Sequence, residues 1–408
     1  MKADVKRIAP IALGILMASG AGAFAQEAAS SPAGQTGIRA GAFMVYPEAS
    51  ITGSYNDNIY ATPTNEVDDF VTTLAAQVAV NSTWSRHALN LSGGMSQDFF
   101  ADRSDEDRFN WNIGADGQID VTSTTALTGS LGYAQMHEDR GDANSIAAAS
   151  EPIEYTVFSA TAGISQEFNY VTVSLGGEYN DYDYDDATTT AGVLIDQDFR
   201  DYEQYVEKAR IAYNISPDTN IYVEGQLDQR EYDQQPPVVA VSRDSDGAQV
   251  VVGSEFMVTN LVEGGAYIGY QEREYDAAGF ADTDGLAYGA NIDWYITPLT
   301  TISFNADASV EETSLVTASG YDRQAFGVGV RHELLRTLVL DAGASYTNND
   351  YNNDPREDDV LGLSAGLTYL VNPHFDIGLG YTYTDRDSNN AAFDYTRNVV
   401  GLTLTGKL

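Results

Sequence analysis

Charged side chains recur at every second position of many segments of this 408-residue chain, between positions that are apolar. Alternate side chains of an extended strand point to opposite faces, so these charges share one face of each segment. We predict that fourteen of them line a water-filled pore: Asp116, Asp120, Glu178, Glu224, Asp228, Arg230, Glu263, Arg273, Asp293, Asp307, Glu311, Arg331, Asp341 and Arg386. Asp98, Lys208, Arg210 and Glu255 share that face. Acids outnumber bases in this set, which predicts a potential that favours cations and disfavours anions.

The same charges allow a second interpretation, in which the acids and arginines only hydrate the polar face and neutralise one another. For any single residue the two interpretations have equal weight. The excess of acids over bases across the whole set favours the pore.

A catalytic function would need a nucleophile beside a histidine that an acid orients. The chain has four histidines and no cysteine, and it contains no Gly-x-Ser-x-Gly sequence. His87, His332 and His374 are expected at one end of the strands and His137 alone at the other. We therefore predict that the protein is not an enzyme and uses no cofactor.

Four connections are rich in acids and amides: residues 102–108, 180–186, 242–247 and 348–359. Clustered carboxylates can bind Ca²⁺, but none of these connections has the ligand spacing of an EF-hand loop. We interpret them as solvated loops with mutually repelling charges, and we predict no metal site.

The segments that carry the charges are long, alternating strands. Trp111, Ile113 and Ala115 oppose Asn112 and Asp116, and the same pattern recurs along the chain. Each strand spans roughly 12 to 16 residues, which exceeds the usual strand of a soluble sheet and suffices for a tilted strand to cross a bilayer. A soluble sandwich also alternates, but here the polar face carries acids, amides and glycine, which suits contact with water rather than with a core.

Aromatic residues mark the ends of the apolar face, as in the interfacial girdles of membrane barrels. These residues are Tyr133, Tyr179, Tyr267, Tyr270, Trp294, Tyr346, Tyr381 and Tyr383. Every backbone polar group within lipid must be paired, and a β-sheet achieves this by closing on itself.

Short turns are expected near residues 84–86, 123–124, 168–170, 216–218, 259–260, 297–299, 335–336 and 372–373. A propeller could show a similar period, but its strands would be shorter. We predict an all-β fold: a closed antiparallel transmembrane β-barrel of about eighteen strands, with short periplasmic turns, longer acidic outer loops and room for an aqueous channel. The longest connections, near residues 137–152 and 187–199, are too short for an obvious plug, but either could fold inward.

The two ends of the chain carry targeting features. Lys2, Lys6 and Arg7, an apolar run and Ala-Phe-Ala at 23–25 have the layout of a cleaved signal peptide, residues 1–25. Residues 26–47 then form a periplasmic or lumenal lead-in, and residues 48–408 form the barrel. The last segment, 397–408, resembles the carboxy-terminal strand that targets bacterial barrels to their outer-membrane assembly machinery. We expect the protein in the bacterial outer membrane, in contact with lipid and lipopolysaccharide.

The run GIRAGAFMVYPEASITGSYNDNIYAT, which begins at Gly37, resembles the start of the putative beta-barrel porin 2 family of Gram-negative outer membranes. The shared features are Gly-x-x-x-Gly-x-Phe, a following Pro, and a strand that ends in Asp57-Asn58. Trp84-Ser85-Arg86 and the later Tyr- and Asp-rich hairpins extend the resemblance over the mature chain. It implies a porin-like barrel, and some members of the family accompany exopolysaccharide export systems.

These observations predict a porin-like channel for the passive diffusion of small hydrophilic solutes, with a preference for cations. Two alternatives remain: an exopolysaccharide export channel that works with periplasmic partners, and a non-conducting structural or adhesive barrel. Export ranks second because an acidic wall fits a polyanionic cargo poorly. The net charge of −39 disfavours nucleic acid as a partner, because phosphates are bound by Lys and Arg.

Overall fold

The computed structural model describes residues 37–234, 241–315 and 317–408, and in these residues the chain forms eighteen long strands. Their bounds are β1 Phe43–Asn56, β2 Asp69–Ser82, β3 Ala88–Phe100, β4 Arg108–Asp120, β5 Thr125–His137, β6 Glu154–Phe168, β7 Val171–Tyr184, β8 Tyr202–Ser216, β9 Thr219–Tyr232, β10 Ser245–Val258, β11 Val262–Tyr275, β12 Thr283–Thr297, β13 Thr300–Glu311, β14 Gly320–Leu335, β15 Leu338–Asn352, β16 Glu357–Asn372, β17 Phe375–Ser388 and β18 Tyr395–Lys407. A three-residue strand, Ile38–Ala40, pairs with the start of β1. The strands are 12 to 16 residues long, as the sequence predicts.

The sheet is a closed antiparallel barrel. Each long strand pairs with the next one in the chain, and β18 pairs with β1 from Glu48–Lys407 to Asn56–Val399. Thr52 and Thr403 join their hydroxyl groups across this closure at 2.8 Å. The predicted closed barrel of eighteen strands is confirmed.

Helices contribute little to this fold. None of the helices in the described ranges is long and apolar enough to cross a membrane.

Eight short turns join the strands at one end of the barrel, which we name the short-turn end. They occupy residues 83–87, 121–124, 169–170, 217–218, 259–261, 298–299, 336–337 and 373–374, so all eight predicted positions are confirmed. Asn169, Thr259 and Asn260 have positive φ angles, which tight hairpin turns require. Nine connections lie at the opposite end, which we name the long-loop end.

The apolar face of the strands points away from the barrel axis. Ile113, Leu131, Ile211 and Ile268 are more than half exposed there. Exposed apolar side chains on every side of a closed sheet form the surface that a bilayer covers. The buried apolar clusters of the described residues lie inside, as where Tyr222 packs on small residues of neighbouring strands.

Two details differ from the expectations. The first strand begins at Phe43, before the expected boundary at residue 48; Pro47 is tolerated because β18 pairs with β1 only from Glu48 onward, so no ladder bond is lost there. Tyr267 was expected in the outer girdle with Tyr270, but it faces inward, because residues three apart in a strand point to opposite faces. The predicted signal peptide, 1–25, lies outside the described residues.

Candidate functional site

The lumen is the candidate site, and all fourteen predicted residues project into it. Each lies an odd number of positions from the exposed apolar residues of its own strand and therefore points to the opposite face. Asp116 on β4, for example, is three positions from both Ile113 and Ile119, which face outward. That solutes pass along them stays a prediction. The structure spreads the fourteen along the axis, from the short-turn end through the middle of the barrel to the long-loop end.

The connection of residues 138–153, which we name the crossing loop, enters the lumen at the long-loop end. It leaves β5 and reaches the opposite wall, where the hydroxyl of Tyr351 on β15 donates to the carbonyl of Ala143 at 3.2 Å. The Asn144 amide donates to the carbonyl of Glu312 at 3.0 Å, and Asn144 accepts from the backbone N–H of Ser314 at 3.1 Å. One of the two longest connections therefore folds inward, as the sequence allowed.

Inward tyrosines lie at the long-loop end of eight of the eighteen strands, and two of them, Tyr351 and Tyr395, donate hydrogen bonds to the crossing loop. Tyr182 and Tyr202 stack with ring centroids 4.6 Å apart, and Tyr202 stacks on Tyr232 at 5.2 Å. The guanidinium of Arg200 lies 3.9 Å from the ring of Tyr184. The sequence predicted aromatics only in the outer girdle, although the inward positions near the strand ends also carry tyrosines.

Buried ion pairs hold the loops to this tyrosine layer. They join Arg140 to Glu106, Arg200 to Glu138, Arg230 to Glu312, and Arg356 to Asp358. The first three each use a carboxylate from a connection rather than from a strand, so loop acids neutralise Arg140, Arg200 and Arg230. Together, the crossing loop, these ion pairs, the inward tyrosines and residues 312–315 and 317–319 form what we name the mouth layer.

Burial controls the ionisation of the loop carboxylates in the mouth layer. Burial raises the pKa of Glu312, and Arg230 opposes this shift only in part. Burial alone would also raise the pKa of Asp139, but the guanidinium groups of Arg397 and Arg108 outweigh it and hold that pKa below its ordinary value. Burial, with repulsion from Arg200, lowers the pKa of Arg243 to about 10. The mouth layer thus favours the ionised form of Asp139 and disfavours that of Glu312.

The predicted residues at the short-turn end have a different environment. Glu263 and Asp293 face each other directly on β11 and β12. Tyr295 donates to Glu263, and the Ser303 hydroxyl donates to Asp293 at 2.5 Å. These partners are neutral, and no base within the described residues neutralises the two carboxylates. Asp116 likewise accepts from the Asn90 amide at 2.8 Å.

Between the ends, acids and bases are partly matched. Lys208 lies 3.7 Å from Glu178, and Arg210 lies 3.0 Å from Glu224 and 2.7 Å from Glu255. These pairs support mutual neutralisation for this part of the set, whereas the acids at the short-turn end support the pore.

At the short-turn end the hydroxyl of Thr300 lies 2.9 Å from Nδ1 of His332, and that histidine forms no ion pair with a carboxylate in the described residues. His137 contacts Glu154 at 3.2 Å and Asn110 at 3.0 Å at the long-loop end, away from the other three histidines. Three exposed acids of the 185–201 connection, Asp186, Asp196 and Asp198, bring carboxylate oxygens within 4.8 Å of one another. All three side chains are exposed, as in a solvated loop.

Comparison with known families decides the assignment. The model of the family described as "Putative beta-barrel porin 2" matches residues 31–408. The chain belongs to this family. It is therefore a porin-like outer-membrane barrel, and the family indicates a channel rather than an enzyme. No curated protein matches the chain.

Solved structures with a similar fold are distant in sequence. The chain is similar to the outer membrane protein OpdK of Pseudomonas aeruginosa (10% identity, 89% of this chain and 99% of that one, TM-score 0.46). It is also similar to OccK2 (OpdF) of the same organism (9%, 90% and 97%, TM-score 0.48) and to the siderophore receptor PirA of Acinetobacter baumannii (7%, 89% and 80%, TM-score 0.47).

Proposed function

We propose that this protein is an outer-membrane channel for the passive diffusion of small hydrophilic solutes and that it prefers cations. The observation that carries the proposal is the inward face of the closed barrel, where Glu263, Asp293 and Asp116 have no basic partner in the described residues. Carboxylates that line a water-filled space without counter-charges attract cations into it.

The mouth layer would set the size of solute that passes. The crossing loop and the inward tyrosines occupy the long-loop end of the lumen, while glycine, serine and threonine line much of the rest of the wall. A solute would have to pass beside the crossing loop, so we expect small solutes to cross and large ones to be excluded.

Location and partners are part of the proposal. Residues 1–25 would direct export and be removed, and the short-turn end would face the periplasm. The apolar outer wall would contact lipid and lipopolysaccharide, and β18 would be read by the barrel assembly machinery. Periplasmic export partners belong to the alternative function only.

Reconstitution of the purified barrel in planar bilayers tests the function. We expect discrete conductance steps, and a reversal potential under a salt gradient that has the sign of cation preference. A reversal potential of the opposite sign would contradict the preference. Complete absence of conductance from a correctly folded barrel would favour the structural or adhesive alternative.

A further inference from the structure

Most arginines of the lumen wall are neutralised by acids of the wall itself. Arg273 on β11 pairs with Asp228 on β9 at 2.6 Å. Arg323 on β14 pairs with Asp307 on β13 at 2.5 Å. Such pairs remain intact whatever the loops do, because both partners belong to the sheet.

Arg386 on β17 and Arg397 on β18 differ from these, because neither has a carboxylate of the described wall within 4.0 Å. Arg386 donates to the carbonyls of Gly141 at 3.3 Å and Asp142 at 3.4 Å, and Arg397 donates to the carboxylate of Asp139 at 2.8 Å. All three of these acceptors belong to the crossing loop. Without that loop, Arg397 would present an unneutralised guanidinium group to the lumen, and Arg386 would keep only its 2.7 Å hydrogen bond to the carbonyl of Phe393.

The carboxylate of Asp139 lies beside Arg397 and Arg108, where a bound anion would be expected. One carboxylate oxygen accepts from Arg397 and from the N–H of Gly141, both at 2.8 Å, and the other lies 3.5 Å from Arg108. The side chain of Arg397 is only 2% exposed, yet its Nε and Nη2 have no hydrogen-bond partner in the described residues. The guanidinium edge that would hold a carboxylate through two parallel bonds is therefore unused.

We propose that Arg397, Arg386 and Arg108 form a binding site for the carboxylate of a small solute, and that Asp139 fills this site when no solute is bound. A solute carboxylate would use the free Nε and Nη2 of Arg397 and displace Asp139. Displacement would release the crossing loop from β17 and β18 and widen the mouth layer, a consequence that rests on the proposed channel function.

The short-turn end restricts which carboxylate solutes would then cross. Glu263 and Asp293 repel a simple anion, but they attract an ammonium group. A small zwitterion, with one carboxylate and one ammonium group, matches the charges of both ends. Asp139 competes with it as a tethered ligand, whose effective concentration is on the order of millimolar, so the solute would bind weakly to the wild-type protein.

An NMR titration of the folded barrel in detergent micelles tests the site without relying on conductance. The probes are alanine and alaninamide, which differ by the carboxylate alone. We expect alanine to bind and alaninamide not to bind. Asp139→Asn should tighten alanine binding roughly tenfold by weakening the competitor, and Arg397→Gln should weaken it roughly tenfold, the effect of losing one charged hydrogen-bond pair.

Matched variants keep the test decisive. Arg323→Gln removes a neutralised wall arginine and should leave alanine binding unchanged. Arg108→Gln, at a less buried position, should weaken binding even if Arg397→Gln fails to fold. Equal binding of alaninamide, or equal loss of binding in the Arg323 variant, would overturn the site. An unchanged affinity in the Asp139 variant would overturn the competition. If alanine binds as expected but the barrel does not conduct, the proposed channel function is rejected and the proposed binding site is retained.

Discussion

The two ends of the lumen are built from the same alternating strands, yet their charged side chains are neutralised to different extents. At the long-loop end, tyrosines and arginines are buried, and loop carboxylates such as Glu138 and Glu312 neutralise the arginines. At the short-turn end, Glu263 and Asp293 stay without a base in the described residues. The difference lies in the connections: two- to five-residue turns cannot reach the lumen, whereas the crossing loop can.

Buried ion pairs explain why the mouth layer is a defined structure rather than a set of mobile loops. Breaking one partner of a buried pair leaves an uncompensated charge, which is far more costly than losing an exposed pair. Each arginine of the layer therefore holds its loop partner firmly. At the short-turn end Lys407 pairs with Asp376, but Glu263 and Asp293 have no basic partner in the described residues, so cations can approach them.

The largest expected effect follows from removing the crossing loop. Replacing residues 139–152 by a short Gly-Ser linker should raise single-channel conductance severalfold, because the obstruction at the long-loop end is lost while an eighteen-stranded barrel leaves an aqueous lumen. Planar-bilayer recordings measure the change. Removing residues 190–193, the exposed tip of another connection, is the matched control and should leave conductance almost unchanged. Equal conductance in the two variants would show that the mouth layer does not limit flow.

The contrast in burial predicts unequal losses of stability. Asp358, which is fully buried, accepts from Arg356 at 2.5 Å, whereas near the short-turn end Arg331 is largely exposed and its partner Asp341 is partly exposed. Asp358→Asn should lower the free energy of unfolding by about 3–5 kcal/mol. Asp341→Asn should lower it by about 0–1 kcal/mol. Urea unfolding of the two variants in the same detergent measures both, and similar losses would contradict the difference in burial.

The selectivity for cations over anions should depend on the carboxylates at the short-turn end only. The double variant Glu263→Gln with Asp293→Asn removes two unneutralised carboxylates and should lower the cation-to-anion permeability ratio by roughly twofold, since fixed charges focus the field in the lumen. Reversal potentials under a salt gradient measure the ratio. Glu231→Gln, at an exposed position on the outer wall, is the control and should not change it. A larger effect of the control would place selectivity outside the lumen.

The sequence predicted the barrel well because strand parity and turn spacing are local properties. It did not predict the mouth layer, because the partner of a buried arginine depends on which loop enters the lumen. For Arg397, the sequence predicts the face of the strand but not the partner. Arg397 lies an even number of positions from Val399 and Thr403, so it points inward with them. Nothing near it in sequence indicates that its partner is Asp139, which lies 258 residues away.

The smallest expected effect concerns pH at the edge of the mouth layer. Burial, together with repulsion from the neighbouring Asp183, Asp198 and Asp233, raises the pKa of Asp201 to about 7, although the hydrogen bond from the N–H of Tyr184 opposes this shift. An unfolded aspartate has a pKa of about 3.9. The ordered connection of residues 185–201 therefore binds this proton more tightly than the disordered one. The resulting stabilisation is full below pH of about 4 and is lost as the pH rises to about 7.

Hydrogen exchange of residues 185–201 should accordingly show more protection at pH 5 than at pH 8, after correction for intrinsic exchange rates. Asp201→Asn should remove the difference, because the amide does not titrate in this range. The turn at residues 298–299 provides an internal control at the short-turn end and should be unaffected by the substitution. A pH dependence that persists in the Asp201 variant would assign the effect to another group. Because Arg200 adjoins Asp201 and holds Glu138 of the crossing loop, loosening this connection would also loosen the mouth layer.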